Sequence, residues 1–170
     1  MNREASARIS LEGGRTSVAT GVAVLDHLLT ELADTGGFAL NLEIAPDEPE
    51  TEVGTAGAAL GDALAPLLAA PEAAKRGVGI LPSDEALAMV VVEVSGKPLV
   101  ASNADLSSTR AGGLQTDLAA AFLSSLADAA GLTIHVRLME GDDSQHVLSA
   151  IFKALGAALA QASAPARTSP

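Results

Sequence analysis

The stretch LLTELADTGGFALNLEI, residues 28–44, has a counterpart in FLSSLADAAGLTIHVRL, residues 122–138. Each contains an apolar pattern at helical spacing, then Leu-Ala-Asp, a glycine and a strand whose apolar residues alternate. After each comes an acidic loop and a second helix, which contains LGDAL at residues 60–64 or LGAAL at residues 155–159. One helix–strand–loop–helix unit therefore occurs twice, and the chain is predicted to be an internal duplication.

The duplication predicts an α+β fold made of two βαβ-type half-units, with two sheets and helices packed between them. Residues 1–86 are expected to form the first half-unit and residues 87–162 the second, within one compact unit. Residues 163–170 are expected to be a disordered tail, because they are polar and rich in proline.

Three local predictions follow from turn and strand signals. Residues 7–11 and 15–19 flank a glycine pair and are expected to form a hairpin. Residues 46–52, PDEPETE, are expected to be an acidic loop, since prolines interrupt them. The apolar, β-branched run from Met89 to Val94 predicts a buried strand.

Composition excludes several classes of function. A net charge of -11 argues against nonspecific nucleic-acid binding, which requires a basic surface. The absence of cysteine excludes disulfides and thiolate metal sites. No apolar run approaches the roughly 20 residues of a membrane helix, and MNREASARIS is not a signal peptide. We therefore expect a cytoplasmic protein without nucleic-acid or membrane partners.

The chain has only three histidines, and each lies in one of the repeated elements or at its end. His27 is on the first repeated helix, and His146 begins the last helix, in a polar stripe that continues to Ser149 and Lys153. Strand alternation places His135 opposite the apolar face, so it is exposed unless a neighbouring subunit covers it. A histidine considered alone is most simply a surface or core residue.

Charged residues give two further candidates. Asp84 and Glu85, in PSDEAL at residues 82–87, are a carboxylate pair that precedes a strand. The cationic candidates for an anion pocket are Lys75, Arg76, Lys97 and Lys153. In both cases the simpler alternative is solvated surface charge.

Together, these features resemble one family. TGVAVLDHLLTELADTGGF, PSDEALAMVVVEVSGKPLV, LTIHVRL and HVLSAIFKALGAAL are similar, in this order and over nearly the whole chain, to imidazoleglycerol-phosphate dehydratase. The family pattern contains T-G-x-x-F-L-D-H-M-L, P-M-D-E-A-L, S-G-R-P and H-H-x-x-E-A-x-F-K-A. The resemblance implies half-units of the ribosomal protein S5 domain 2-like type and dehydration of imidazole glycerol phosphate in histidine synthesis. It also implies homo-oligomeric trimers, in the family a shell of twenty-four subunits, whose active sites between subunits hold two manganese ions.

The departures from this pattern concern the metal ligands. The family has H-H-x-x-E once in each repeat, on which much of its metal binding rests. The corresponding residues here are Glu50, Thr51 and Gly54 in the first repeat and Gln145, His146 and Ser149 in the second. The resemblance makes His27, His135 and His146 remnants of the metal site. Because serine and glutamine are poor replacements for carboxylate and imidazole, we expect the paired site to be incomplete.

The anion-binding positions are better retained. The resemblance assigns the substrate phosphate to Lys75 with Arg76 beside it, to Lys97 in place of the arginine of S-G-R-P, and to Lys153. Lysine offers a point charge without the bidentate fork of arginine, so weaker binding of a small phosphorylated ligand is expected.

We therefore expect a dehydratase-like protein that is catalytically inactive or strongly impaired and retains a phosphate pocket. No cofactor is expected unless manganese is retained in part. One alternative is an active or repurposed hydro-lyase that uses Asp84, Glu85 and His135 as acid–base groups on a phosphorylated small molecule. The other is a structural or regulatory partner subunit of a true dehydratase.

Overall fold

The computed structural model describes residues 5–104, 110–111 and 114–166. For residues 110–111 and 114–118 it describes the backbone only. The strands are β1 Ala5–Ser10, β2 Ser17–Ala19, β3 Ala39–Ile44, β4 Arg76–Ser83, β5 Ala86–Val94, β6 Leu99–Ser102, β7 Arg110–Ala111, β8 Leu114–Gln115 and β9 Leu132–Glu140. The helices are α1 Ala23–Gly36, α2 Pro49–Ala69, α3 Thr116–Ala130 and α4 Ser144–Ser163. No helix in these ranges is both long enough and apolar enough to cross a membrane.

The two main sheets have the same core topology. In the first, the strand order is β1-β3-β2, with β1 antiparallel and β2 parallel to β3. In the second, the order is β4-β5-β9-β6, with β5 antiparallel and β6 parallel to β9. The triplet β5-β9-β6 thus repeats β1-β3-β2, and β4 is an addition at the edge. The predicted α+β duplication is confirmed, and β7 and β8 form a separate small pair.

The helices lie between the two sheets. Helix α2 packs on β1 and on α3, while α4 packs on β4, β5 and α1. The second helix of each half-unit therefore packs on the first helix of the other, which joins the halves into one core. Phe122 of α3 and Phe152 of α4 meet in this core with ring centroids 5.5 Å apart.

Local sequence defines the ends of α1. The Asp26 carboxylate accepts hydrogen bonds from the Thr20 backbone N–H at 2.8 Å and from the Thr20 hydroxyl at 2.5 Å, which fixes the chain entering the helix. Gly37, at φ 70°, ends the helix in the left-handed conformation that glycine adopts without strain. Both observations confirm the predicted helix and its glycine terminus.

Three local predictions require correction. The hairpin of residues 7–11 and 15–19 is wrong, because β3 lies between β1 and β2 and pairs with both. Residues 46–52 are not wholly a loop: α2 begins at Pro49, where proline and first-turn acids favour a helix N-terminus. The run Met89–Val94 is a strand, but only alternate residues of it are buried, since its other face is partly open.

Strand β4 was not predicted, and its glycines explain why. Gly77 and Gly79 face α4, so the strand lacks the apolar alternation that marks a buried face. A Cβ at Gly77 would lie 1.9 Å from the carbonyl oxygen of Ala158, and one at Gly79 would lie 2.0 Å from that of Ala154. The absence of a side chain at both positions lets α4 lie directly on the strand.

The segment predicted as a tail begins inside α4 and continues along the surface. The Ala74 N–H donates to the Ala164 carbonyl at 2.8 Å, and the Ala166 N–H donates to the Glu72 carbonyl at 2.9 Å. Residues 167–170 lie outside the described ranges. The half-unit boundary at residues 86–87 coincides with the start of β5 and stays a prediction.

The packing of α4 on α1 gives a stability prediction. At Gly156 a Cβ would lie 2.2 Å from the Leu32 carbonyl oxygen, so Gly156→Ala should lower the free energy of unfolding by about 2 kcal/mol or more, as overpacking does. Gly54→Ala in α2 is the matched control, because its nearest heavy atom outside the helix backbone is the Ser125 Oγ at 3.6 Å. Urea denaturation should show Gly54→Ala unchanged or stabilised by about 0.5 kcal/mol. Equal effects of the two substitutions would contradict this packing.

Candidate functional site

A cleft of ≈ 430 Å³ opens between α1, the start of α4 and the turn that joins β4 to β5. Apolar side chains of α1 and α4 form part of its wall. Its polar lining comprises His27, Glu31, Ser83, Asp84, Gln145, His146 and Ser149. Two of the three predicted metal-ligand histidines therefore share one cleft.

Glu31 connects α1 to α4 at one side of the cleft. Its Oε1 lies 2.5 Å from the His27 Nε2, one helical turn away, and its Oε2 accepts a hydrogen bond from the Ser149 hydroxyl. The Lys153 Nζ lies 3.9 Å from the same Oε2. The Glu31 side chain is only 17% exposed, whereas that of His27 is 71% exposed. The carboxylate is therefore enclosed between the helices and surrounded by donors.

His146, near the start of α4, contacts two acidic side chains of the β4–β5 turn. Its Nδ1 lies 2.6 Å from the Glu85 Oε2, and its Nε2 lies 3.3 Å from the Asp84 Oδ2. The Glu85 Oε1 also accepts from the Asp143 backbone N–H at 3.1 Å. Asp143 in turn caps α4, accepting from the backbone N–H groups of Gln145 and His146.

These contacts lower the pKa of Glu85 and raise the pKa of His146. The backbone N–H of Asp143 is the main cause that lowers the pKa of Glu85, and the contacts with His146 add to it. The hydrogen bond to Glu85 raises the pKa of His146 above its ordinary value of 6.5, with smaller support from nearby acids. The pair therefore favours imidazolium beside carboxylate.

His135 lies on another surface. It is exposed on β9, as alternation predicted, and pairs with Val91 of β5 on the sheet face that points away from the helices. Asp84 and Glu85 contact His146 instead. Within one chain the acid–base set of Asp84, Glu85 and His135 is not assembled, so it stays a prediction that needs a second subunit.

The predicted anion-binding residues divide between two places. Lys75, Arg76 and Lys97 lie where β4 begins and β5 ends, and Arg76 contacts Glu93 at 3.6 Å. Lys153 lies on α4 beside Glu31. A single pocket containing all four cations is therefore not formed within one chain.

Within one chain, the described residues do not assemble the ligands of a paired manganese site. In the first repeat Glu50 and Thr51 are exposed in the first turn of α2, while Gly54 has no side chain to offer. Asp84 and Glu85 approach opposite nitrogens of the His146 ring, so these groups do not converge on one point. Within the described part of the chain, no three His, Asp or Glu side chains are grouped so as to hold a metal ion.

Sequence reasoning missed Glu31. The only local signal was its position four residues after His27, which places both side chains on one helix face. Its other partner, Ser149, is 118 residues away along the chain and becomes adjacent only through the packing of α4 on α1.

Comparisons with known proteins agree with the motifs. The family described as imidazoleglycerol-phosphate dehydratase matches residues 20–159. The dehydratase of Pelobacter propionicus is 36% identical over 156 residues, covering 89% of this chain and 80% of that protein. The dehydratase of Clostridium botulinum strain Kyoto is 34% identical over 164 residues, covering 94% and 84%.

Two solved structures share the fold over almost their whole length. The crystal structure of imidazoleglycerol-phosphate dehydratase from Staphylococcus aureus has a TM-score of 0.88 and 32% identity, covering 96% of this chain and 95% of that one. The Pyrococcus furiosus enzyme in complex with (S)-C348 has a TM-score of 0.85 and 27% identity, covering 98% and 93%. The resemblance found in the motifs is confirmed.

The His146–Glu85 pair predicts a specific pH dependence of stability. Because folding raises the pKa of His146, its contribution is fully present below about 6.5 and is lost as pH rises through the folded value. The lowered pKa of Glu85 gives a contribution that is present above its ordinary 4.5 and is lost as pH falls through its folded value. His146→Gln should therefore melt below the wild type at about pH 6, and the two should converge by about pH 9.

The measurement is the melting temperature across this range, with Ser124→Gln as the control. Ser124 is exposed on α3, outside the cleft, and does not titrate, so its substitution should follow the wild type at every pH. A gap between His146→Gln and the wild type that stays constant with pH would contradict the assigned pair.

Proposed function

The chain belongs to the imidazoleglycerol-phosphate dehydratase family, and we propose that it is a member whose metal-dependent dehydration is lost or strongly impaired. The family reaction is a carbon–oxygen lyase step of histidine biosynthesis, which takes place in the cytoplasm. The proposal is that fold and anion binding were retained while the metal site was not.

One observation carries the proposal. His27 and His146 are both engaged by carboxylates of the same chain, and the hydroxyl of Ser149 donates to Glu31. A metal ion needs the lone pairs of imidazole and the charge of nearby carboxylates. The ring nitrogens that contact these carboxylates face them as N–H donors, so within one chain they offer no lone pair to the Lewis acids of the family reaction.

A second candidate function is a repurposed hydro-lyase. His146 and Glu85 are hydrogen bonded, and His146 lines the cleft. A histidine whose pKa lies above its ordinary value can donate a proton near neutral pH. In this alternative His146 takes the role that the sequence suggested for His135, with Asp84 and Glu85 as its partners, on a small phosphorylated molecule.

We also propose an anion surface on the second sheet. Lys75, Arg76 and Lys97 are exposed and lie at the same end of that sheet. The Ser95 hydroxyl accepts from the Lys97 backbone N–H at 3.0 Å and so orders the turn that carries this lysine. The arrangement supports weak binding of phosphate groups at this end.

The outer face of the second sheet supports a homo-oligomer. Val78 and Ile80 of β4, Leu99 of β6 and Met139 of β9 are 45% to 53% exposed on this face. Several exposed apolar side chains on one sheet face are typical of an interaction surface. We propose homotrimers and the family's larger shell; a true dehydratase subunit is the alternative occupant, in which case the protein is a structural or regulatory partner.

Loss of catalysis is tested by complementation and turnover. In a strain that lacks the dehydratase, this chain should not restore growth without histidine. Purified protein supplied with Mn²⁺ should turn over imidazole glycerol phosphate at least about a hundredfold more slowly than the Staphylococcus aureus relative assayed beside it. Growth together with turnover at the relative's rate would overturn the proposal.

The proposed assembly is tested by light scattering. Ile80→Asp places a charge on the exposed apolar face, so it should convert the oligomer to smaller species without unfolding the chain. Ser124→Asp on α3 adds the same charge at an exposed position away from this face and should leave the mass unchanged. A monomeric wild type, or equal masses for all three proteins, would contradict assembly through this sheet.

A further inference from the structure

The surroundings of Glu31 have the chemistry of an anion site. The carboxylate lies 2.5 Å from the His27 Nε2 and 3.9 Å from the Lys153 ammonium, and it accepts from the Ser149 hydroxyl. An ionised carboxylate can only accept hydrogen bonds, so each of these groups faces it as a donor or as a positive charge. Imidazole N–H, hydroxyl and ammonium together are a donor set typical of phosphate or carboxylate recognition.

This arrangement reverses the polarity that the family resemblance implies. A metal site would use the Nε2 lone pair of His27 and a carboxylate at position 149. In this chain position 149 carries a donor, and the carboxylate comes from α1 on the opposite side of the helix pair. The groups between α1 and α4 that face Glu31 therefore favour binding of an anion rather than a cation.

We propose that His27, Ser149 and Lys153 form an anion subsite that the chain's own Glu31 occupies, so that Glu31 excludes an external phosphate group. The contact is autoinhibitory: an intramolecular carboxylate competes with a phosphate or phosphomonoester for the same donors. The inference deepens the proposed function and rests on it for the idea that the cleft binds a phosphorylated molecule.

The geometry allows an external anion to reach the subsite. His27 is largely exposed and lines the cleft of ≈ 430 Å³ together with Glu31 and Ser149. Lys153 is partly exposed, at 32% of its side chain. Once the carboxylate is absent, a tetrahedral anion entering the cleft would meet His27 and Ser149 in its lining, and the Lys153 ammonium lies 3.9 Å from the position that the carboxylate oxygen vacates.

Because Glu31 is part of α1, its carboxylate competes strongly with free phosphate for the three donor side chains. Because the carboxylate is part of the same helix as His27, its effective concentration at the donors far exceeds that of free phosphate. An incoming dianion would also be repelled by the Glu31 charge at short range. Removing the carboxylate abolishes both effects and leaves the donors facing the cleft.

The test compares phosphate binding of Glu31→Ala with that of Asp34→Ala. Both substitutions remove one negative charge from α1, but Asp34 is exposed and is not part of the cleft lining. By calorimetric titration with inorganic phosphate, Glu31→Ala should bind at least about tenfold more tightly than the wild type. Asp34→Ala should stay within about twofold of the wild type, since surface charge is screened by salt.

Two double variants locate the gained site. Glu31→Ala combined with Lys153→Met should lose the gain, because the ammonium is removed. Glu31→Ala combined with Arg15→Ala should keep it, because Arg15 is an exposed cation between β1 and β2, outside the cleft lining. Equal affinities of Glu31→Ala and Asp34→Ala, or a gain that survives Lys153→Met, would overturn the proposal.

Glu31→Gln provides a second route if Glu31→Ala does not fold. The amide oxygen still accepts from Ser149, but the negative charge is gone, so a smaller gain of about threefold is expected. A folded Glu31→Gln with no gain over Asp34→Ala overturns the inference. Manganese-dependent turnover by the wild type would instead overturn the proposed function and leave the phosphate comparison unaffected.

Discussion

Helix α4 packs with its backbone almost in contact with α1 on one side and with β4 on the other. Gly156 permits the first contact, since a Cβ there would lie 2.2 Å from the Leu32 carbonyl oxygen. Gly77 and Gly79 permit the second in the same way. This close approach, which larger residues would prevent, brings the start of α4 and the middle of α1 together. The contacts of Glu31 and the cleft beside it depend on that distance.

The polar groups that line the cleft are paired with one another. With a hydroxyl at position 149 and an acid at position 31, the groups between α1 and α4 satisfy each other. At the other side of the cleft, His146 is held by Glu85 and Asp84 from the β4–β5 turn. His27 and His146 each contact a carboxylate of the same chain, so hydrogen bonds and charges connect the elements that line the cleft.

Sequence periodicity was sufficient where a structural feature depends on a single element. The repeated helix and strand patterns gave the duplicated fold, and alternation correctly placed His135 on the exposed face of its strand. Periodicity did not predict features that depend on how separate helices and strands pack together. The pairing of β1 and β2 with β3 instead of each other, and the use of glycines in β4 to face a helix, are set by the packing. Glu31 resembles any surface acid of an amphipathic helix until α4 places Ser149 and Lys153 beside it.

We propose that the junction of α1 and α4 is closed by the chain's own side chains rather than by metal ions. The most direct measurement is thermal unfolding of the purified protein in excess chelator and in excess Mn²⁺. An ion that bound only the folded state would raise the melting temperature by an amount that grows with the logarithm of its affinity. We expect the two melting temperatures to agree within about 1 °C. A rise of several degrees in Mn²⁺ that chelator reverses would contradict it.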